Sequence, residues 1–146
     1  MDPRKLLPDA TVRLIRPTLA VLLTLLMAAL SMAPGDGSAD DTVFGWAVSV
    51  TSPNLQNAMH VVLYGLLTVL WIWTLHGFSL RGRVPVLTAV LLVLLFGALM
   101  ELAQVVIPGR FASLGDMLLN VIGTGLGAGL AMLVARARGP GSTGPD

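Results

Sequence analysis

A few ionisable residues stand inside otherwise apolar stretches of the chain, and their types could carry chemistry. Glu101, Asp116 and His60 could exchange protons with a ligand. Two carboxylates in different surroundings can divide general-acid and general-base roles, and histidine changes charge near neutral pH. Arg110 supplies a planar guanidinium that recognises phosphate or carboxylate. These residue types predict binding of an anionic or polar group, with proton transfer as the reaction they permit.

Further polar residues lie at helical spacing from His60, Glu101 and Asp116, because side chains three or four residues apart share one helix face. The three stripes are Gln56, His60 and Tyr64; Glu101 and Gln104; and Asp116, Asn120 and Thr124. The catalytic candidates are Glu101, Asp116 and His60, and the ligand-binding candidates are Arg110, Gln104, Asn120, Tyr64 and Ser113. A metal on the catalytic candidates has suitable ligand types, but one histidine without a characteristic spacing favours a site with no metal and no cofactor.

Four apolar stretches must position these residues, at about 17–33, 55–76, 84–107 and 113–135, each near the ~20 residues that cross a bilayer. The 146 residues are 55% hydrophobic and 12% charged, with a mean hydropathy of +0.82. That is about half the charge of a soluble domain. The absence of cysteine excludes disulfides and thiolate sites, and a net charge of +1 gives no reason to expect nucleic acid. The sequence predicts an all-α integral membrane protein, a bundle of four transmembrane helices.

The basic residues predict the orientation of this bundle, because Lys and Arg concentrate in cytoplasmic loops. They precede the first span, separate the second from the third and follow the fourth. Both termini are therefore expected in the cytoplasm, with a basic segment 1–16, a membrane domain 17–135 and a disordered tail 136–146. Pro17 is expected at a first helical position. The alternative for the first span is a signal peptide cleaved near Gly37-Ser38-Ala39, although three further spans favour its retention.

On this topology the polar stripes converge on the outer half of the membrane. At 1.5 Å per residue, His60 lies about 7–8 Å and Glu101 about 9 Å below the outer ends of their helices. Exposing a carboxylate to lipid costs about 2.5–3.5 kcal/mol, so a common pocket is expected. An interfacial or re-entrant segment is also expected within residues 42–48, which are too apolar for an ordinary loop and too short to span.

Each of these residues also has a structural alternative. Ser113 and Asp116 fit a capping box at the start of the fourth helix. Arg110 could pair with Glu101 or Asp116 and lock the hairpin. His60 and Tyr64 could be satisfied core groups, and Asn120 and Gln104 could be interhelical hydrogen bonds. The predicted packing residues are Gly123, Gly125, Gly127 and Gly129, which form two overlapping pairs of small residues that allow close helix contact.

The order of these residues resembles the VanZ-like family of small membrane proteins, named for a teicoplanin-resistance protein. The resemblance covers about residues 17–133, and its carriers are His60, Tyr64, Glu101, Gln104, Pro108, Gly109, Arg110, Ser113, Asp116, Asn120 and Gly123. One departure is that Gln56 and Asn57 stand where family members usually have an Asp-Lys pair. The resemblance implies a connection with teicoplanin susceptibility and with cell-wall precursors outside the membrane.

These observations predict a multi-pass protein of the bacterial cytoplasmic membrane that binds or modifies the headgroup of an envelope lipid or glycolipid. Its expected partners are membrane lipids and a lipid-linked envelope precursor. The alternative is a noncatalytic membrane subunit or assembly factor whose polar cluster is structural. A transporter or proton relay ranks last, because below Thr124 the sequence offers almost no polar path to the inner side.

Overall fold

The computed structural model describes residues 9–34, 42–43, 45–46, 50–78, 80 and 82–137. The basic segment up to residue 8, the candidate cleavage site at 37–39 and residues 138–146 of the predicted disordered tail lie outside these residues. The first two residues of that predicted tail, 136 and 137, are helical, so the tail does not begin at 136. The predicted interfacial segment is described only at four positions. There, the backbone N–H of Trp46 donates to the carbonyl of Thr42 across one helical turn, 2.9 Å away.

The part of the chain that the structure describes contains four long helices: α1 (Asp9–Ser31), α2 (Pro53–Gly77), α3 (Val84–Gln104) and α4 (Leu114–Ala137). All four are long and apolar enough to cross a membrane. The predicted bundle of four membrane-spanning helices is therefore confirmed, while its orientation stays a prediction.

The start of α1 differs from the sequence prediction. The helix begins at Asp9 and contains Pro17 in its interior, so the prediction that Pro17 occupies a first helical position is wrong. A hydropathy pattern detects only the apolar part of a helix. The charges of Arg13 and Arg16 lower the hydropathy of the first turns of α1, so the pattern did not include them. Arginine and leucine are nevertheless good helix formers, so Arg13, Leu14 and Arg16 favour helix before the proline.

The other helix ends follow local chemistry. α2 begins after Ser52, whose hydroxyl accepts a hydrogen bond from the backbone N–H of Leu55 (3.4 Å). α3 ends at Gln104, three residues before the predicted end, and a turn follows in which Gly109 adopts a φ of +71°. That left-handed conformation is accessible to glycine without a Cβ clash.

Helix α2 is the centre of the bundle, because it packs against α1, α3 and α4, most extensively against α4. The buried apolar core is small and includes Met27, Leu67 and Val93. The outer face is apolar as well. Leucines four residues apart on α3, from Leu87 to Leu99, are all at least half exposed, as expected for side chains that face lipid.

The up-and-down order of the helices gives the bundle two chemically different ends. The ends of α1 and α3 meet the starts of α2 and α4 at one end, which we call the pocket end. The opposite end carries Arg13, Arg16, Arg83 and Arg136, and we call it the basic end.

Candidate functional site

Close backbone contact between α2 and α4 brings the polar stripes of these helices together. A Cβ added to Gly123 would lie 2.5 Å from the carbonyl oxygen of Val61, and a Cβ added to Gly127 would overlap the carbonyl oxygen of Gly65. Both glycines are buried. Only glycine permits this approach, so Gly123 and Gly127 set the distance between the two helices.

The second glycine pair behaves differently. A Cβ added to Gly125 or to Gly129 meets nothing within 4 Å in the described part of the chain. The two pairs have the same spacing but lie on different faces of α4, and only one of those faces meets α2. The expected packing role of Gly125 and Gly129 is therefore not met within the single chain.

The first contact between the stripes joins His60 on α2 to Asn120 on α4. The ring Nδ1 of His60 lies 2.9 Å from the amide oxygen of Asn120, at hydrogen-bond distance. Asn120 is buried, and its Nδ2 has no hydrogen-bond partner among the described residues. Because Nδ1 is occupied, Nε2 is the ring nitrogen of His60 that remains for a ligand.

Tyr64 lies one turn further along α2, and its ring is parallel to that of His60, with centroids 6.2 Å apart and planes 8° apart. A Cβ on Gly97 of α3 would come within 3.0 Å of the Tyr64 ring and 3.2 Å of Asn120 Nδ2. Gly97 thus leaves the space that Tyr64 and Asn120 fill. Sequence reasoning missed Gly97, although a lone glycine inside a strongly apolar helix is a signal for close packing.

Glu101 is buried near the end of α3, and its carboxylate accepts a hydrogen bond from the backbone N–H of Ser113 (2.9 Å). The Ser113 hydroxyl in turn accepts one from the backbone N–H of Asp116 (3.2 Å) and so caps α4. Asp116 is half-buried in the first turn of α4, close enough for its charge to act on Glu101. The carboxylate of α3 therefore fixes the start of α4.

Arg110 is tied to α1 instead of to a carboxylate. Its Nε donates to the carbonyl oxygen of Ala33 (3.0 Å), and no ion pair joins it to Glu101 or Asp116 in the part of the chain that the structure describes. Gln104 Nε2 makes a similar bond to the carbonyl oxygen of Ser31 (3.4 Å). The last carbonyls of a helix lack intrahelical partners, so Gln104 completes the end of α1, while Arg110 holds the chain two residues beyond it.

A cavity of about 210 Å³ lies between these elements at the pocket end. Its polar lining is Ser31, Thr51, Gln56, His60, Tyr64, Gln104 and Arg110, and its apolar lining is Met27, Leu30, Met59 and Leu63. Glu101, Asp116, Asn120 and Ser113 do not line it. The predicted site residues thus divide into a group that faces the cavity and a group that holds the helices behind it.

Sequence reasoning missed the contribution of α1 to this cavity. Met27 and Leu30 carry no signal beyond hydrophobicity, and Ser31 takes part through its backbone carbonyl. No residue pattern marks such contacts before the helices are assembled.

The described residues contain no group of three or more His, Asp or Glu side chains that could hold a metal ion. The arrangement instead offers an arginine, a histidine nitrogen and a tyrosine beside an apolar wall. These groups can bind an anionic or hydroxyl-bearing headgroup attached to an apolar chain.

Comparison with known proteins identifies a family for the chain. The family described as VanZ/LLP1 matches residues 19–135, a range that contains the candidate site residues, the second half of α1, all of α2 and α3 and nearly all of α4. No curated protein and no solved structure matches the chain. Because the matched range is most of its length, the chain belongs to the VanZ/LLP1 family.

Proposed function

We propose that the pocket end binds the headgroup of a membrane lipid or glycolipid, with a lipid-linked envelope precursor as the ligand class. The observation that carries the proposal is the mixed lining of the cavity. Polar groups of α2, α3 and the α3–α4 loop face apolar side chains of α1 and α2, including Met27 and Met59. A headgroup attached to an acyl or prenyl chain matches both surfaces.

Arg110 is the proposed anchor for an anionic headgroup. Its Nε is held by the carbonyl of Ala33, while no other hydrogen bond or ion pair joins its guanidinium to the described residues. A guanidinium held by one nitrogen loses less freedom when the others bind phosphate. His60 is oriented in the same way by Asn120 and presents its other ring nitrogen.

If the protein modifies its ligand, His60 and not a carboxylate is the proposed group that transfers the proton. It lines the cavity, whereas Glu101 and Asp116 lie behind the lining. Both carboxylates could then act through their charges, and Glu101 is within electrostatic reach of His60 and Arg110.

A second candidate function is that of a noncatalytic membrane subunit whose polar cluster is structural. The observation that favours it is the use of side chains at the pocket end for intrachain bonds. Glu101 binds the backbone of Ser113, and Gln104 and Arg110 bind backbone carbonyls at the end of α1. In this case the cavity would be a by-product of helix packing and would show no ligand preference.

Binding of farnesyl monophosphate to the purified full chain in detergent distinguishes the two candidates, with farnesol as the uncharged probe. The lipid-binding proposal expects the monophosphate to bind more tightly than farnesol. It also expects Arg110→Gln to weaken the binding of the monophosphate by about tenfold, because hydrogen bonds between charged groups contribute about 1.5–3 kcal/mol. Arg83→Gln removes one charge at the basic end and is the matched control.

Equal binding of the two probes, or an equal loss in Arg110→Gln and Arg83→Gln, would reject an anionic-headgroup site at the pocket end. Copurification of one stable protein partner would then favour the subunit function. A change in the mass of the bound monophosphate would show that the protein also performs chemistry.

We further propose that the pocket end faces outward from the bacterial cytoplasmic membrane and that the family connection extends to teicoplanin. Expression of the protein should then lower teicoplanin susceptibility, and Arg110→Gln should remove the effect. Unchanged susceptibility would contradict the teicoplanin connection, and the lipid-binding proposal would be decided by the probe experiment alone.

A further inference from the structure

A second cavity lies at the basic end, remote from the candidate site. It measures about 140 Å³ and is formed between the first half of α1 and the end of α2. Its lining residues are Arg13, Arg16, Thr74, Gly77 and Phe78. Of these five described lining residues, two are arginines one helical turn apart and none is acidic.

Two polar atoms of this lining are buried without a hydrogen-bond partner among the described residues, namely Arg16 Nε and Thr74 Oγ1. The Thr74 side chain is only 2% exposed. Buried polar groups of a folded protein almost always have a partner, so two such atoms beside one cavity are available to bind a ligand. Both groups can donate a hydrogen bond, and the guanidinium can only donate, so that ligand must be an acceptor.

The Arg16 side chain is held in position before any ligand arrives. Its guanidinium carbon lies 4.9 Å from the centroid of the Trp73 ring, in a cation–π contact. A Cβ on Gly77 would come within 3.2 Å of Arg16 Nη1, so the glycine leaves room for the guanidinium beside α2. An arginine restrained in this way keeps a planar fork that matches a phosphate group.

We propose that this cavity binds the phosphate group of a phosphate ester at the membrane surface, with Arg13 and Arg16 as cationic donors and Thr74 as the hydroxyl donor. The ester is either an anionic phospholipid of the adjacent leaflet or a soluble organic phosphate. Basic pockets between transmembrane helices are known to receive lipid phosphates on the cytoplasmic side. The proposal uses none of the pocket-end residues and is independent of the proposed function.

The competing explanation is that the arginines only compensate the carbonyl groups at the end of α2. Cations near a helix C-terminus are favourable without any ligand. Under that explanation the basic end would attract anions through its total charge, and removal of any two arginines there would have the same effect.

Native mass spectrometry of the full chain in detergent separates these explanations, with phosphatidylglycerol and phosphatidylcholine offered at equal concentration. We expect one phosphatidylglycerol to be retained in preference to phosphatidylcholine. Arg13→Gln combined with Arg16→Gln should weaken this retention by about a hundredfold, since two charge-assisted hydrogen-bond donors are lost and each accounts for about a factor of ten. Arg83→Gln combined with Arg136→Gln removes the same charge from the same end and should retain the lipid.

Competition with glycerol 3-phosphate identifies the source of the phosphate. Retention of the lipid against an excess of glycerol 3-phosphate assigns the site to phospholipid, and displacement assigns it to soluble phosphate esters. Equal losses in the two arginine double variants, or no preference for the anionic lipid in the wild type, would overturn the proposal.

Thr74→Val tests the same site without changing charge, in case the arginine variants do not fold. Valine has nearly the same shape as threonine but cannot donate a hydrogen bond. The proposal expects weaker retention of phosphatidylglycerol with an unchanged melting temperature in the absence of lipid. Unchanged retention in a folded Thr74→Val protein would remove Thr74 from the site and contradict the proposal as stated.

Discussion

His60 Nδ1 and Asn120 Oδ1 lie 2.9 Å apart and join α2 to α4 through two residues that are 60 positions apart in sequence. The bond lies near the place where Gly123 brings the backbone of α4 against Val61. The polar contact and the glycine contact therefore depend on each other. Without the close approach, a histidine and an asparagine side chain on neighbouring helices would not reach.

A double-mutant cycle should detect this bond directly. His60→Ala and Asn120→Ala are expected to be coupled by about 0.6 kcal/mol, with about 1.7 kcal/mol as the upper range for hydrogen bonds between membrane helices. The measurement is the free energy of unfolding of the four proteins in bicelles. The control cycle pairs His60→Ala with Thr124→Ala, since Thr124 is buried on α4 without a hydrogen-bond partner among the described residues. Equal coupling in both cycles would contradict a specific His60–Asn120 bond.

The glycines of α4 provide a matched comparison within one helix. Gly123→Ala and Gly127→Ala should each lower the free energy of unfolding by about 1–3 kcal/mol, because the new Cβ meets backbone atoms of α2 that cannot move aside. Gly125→Ala and Gly129→Ala should leave it unchanged or raise it by about 0.5–1 kcal/mol, as alanine favours helix.

The measurement is again unfolding in bicelles, together with the oligomeric state of each variant. Similar losses at all four positions would show that the second face of α4 is also a packing surface. A loss at Gly125 or Gly129 that accompanies dissociation of an oligomer would place that packing between chains.

The four helices and the clustering of polar residues at one end could be predicted because they depend on run length and on the rise per residue. An apolar run of about 20 residues fixes a span, and the depth of Glu101 and His60 follows by counting. The start of α1 could not be found in this way, since Arg13 and Arg16 interrupt the apolar run while the helix continues.

The partners of the polar residues could be predicted only in part. The capping pattern predicted the cap by the Ser113 hydroxyl, whose donor lies three residues along the chain, but the N–H of Ser113 donates to Glu101 and not to the Asp116 carboxylate of a capping box. Arg110 and Gln104 instead bind the backbone carbonyls of Ala33 and Ser31. Every residue has a backbone carbonyl, so the sequence does not identify the one that accepts. The choice between the two glycine pairs depends on the rotation of α4 about its axis, which spacing alone does not determine.

Substitution of Glu101 should separate its structural role from any role in binding. Glu101→Gln keeps a carbonyl oxygen for the backbone N–H of Ser113 and should leave the melting temperature nearly unchanged. Glu101→Ala leaves that N–H without a partner and should cost about 1–3 kcal/mol of stability. Thermal unfolding in detergent measures both effects.

The same pair of variants bears on binding. If the negative charge of Glu101 helps to orient Arg110 or His60, farnesyl monophosphate should bind differently to Glu101→Gln although the protein remains folded. A large drop in melting temperature for Glu101→Gln would contradict the retained hydrogen bond and make the carboxylate charge itself a structural requirement.

The orientation of the bundle can be measured with single cysteines, because the chain has no cysteine of its own. Phe111 is 84% exposed in the loop at the pocket end, and Leu80 lies in the described part of the loop at the basic end. The arginines in the same loop as Leu80 predict that this loop is cytoplasmic. Phe111→Cys should therefore react with a membrane-impermeant maleimide in intact cells, whereas Leu80→Cys should react only after the cells are permeabilised.

Neither substitution removes a charge, so the distribution of Lys and Arg that sets the orientation is preserved. Labelling of the unfolded protein in detergent is the control that both cysteines are reactive. The reverse pattern would place the cavity with His60 and Arg110 on the cytoplasmic side of the membrane and would exclude a ligand in the outer leaflet. Labelling of both sites in intact cells would show that the protein inserts in two orientations, and the outward-facing site would then apply to only part of the population.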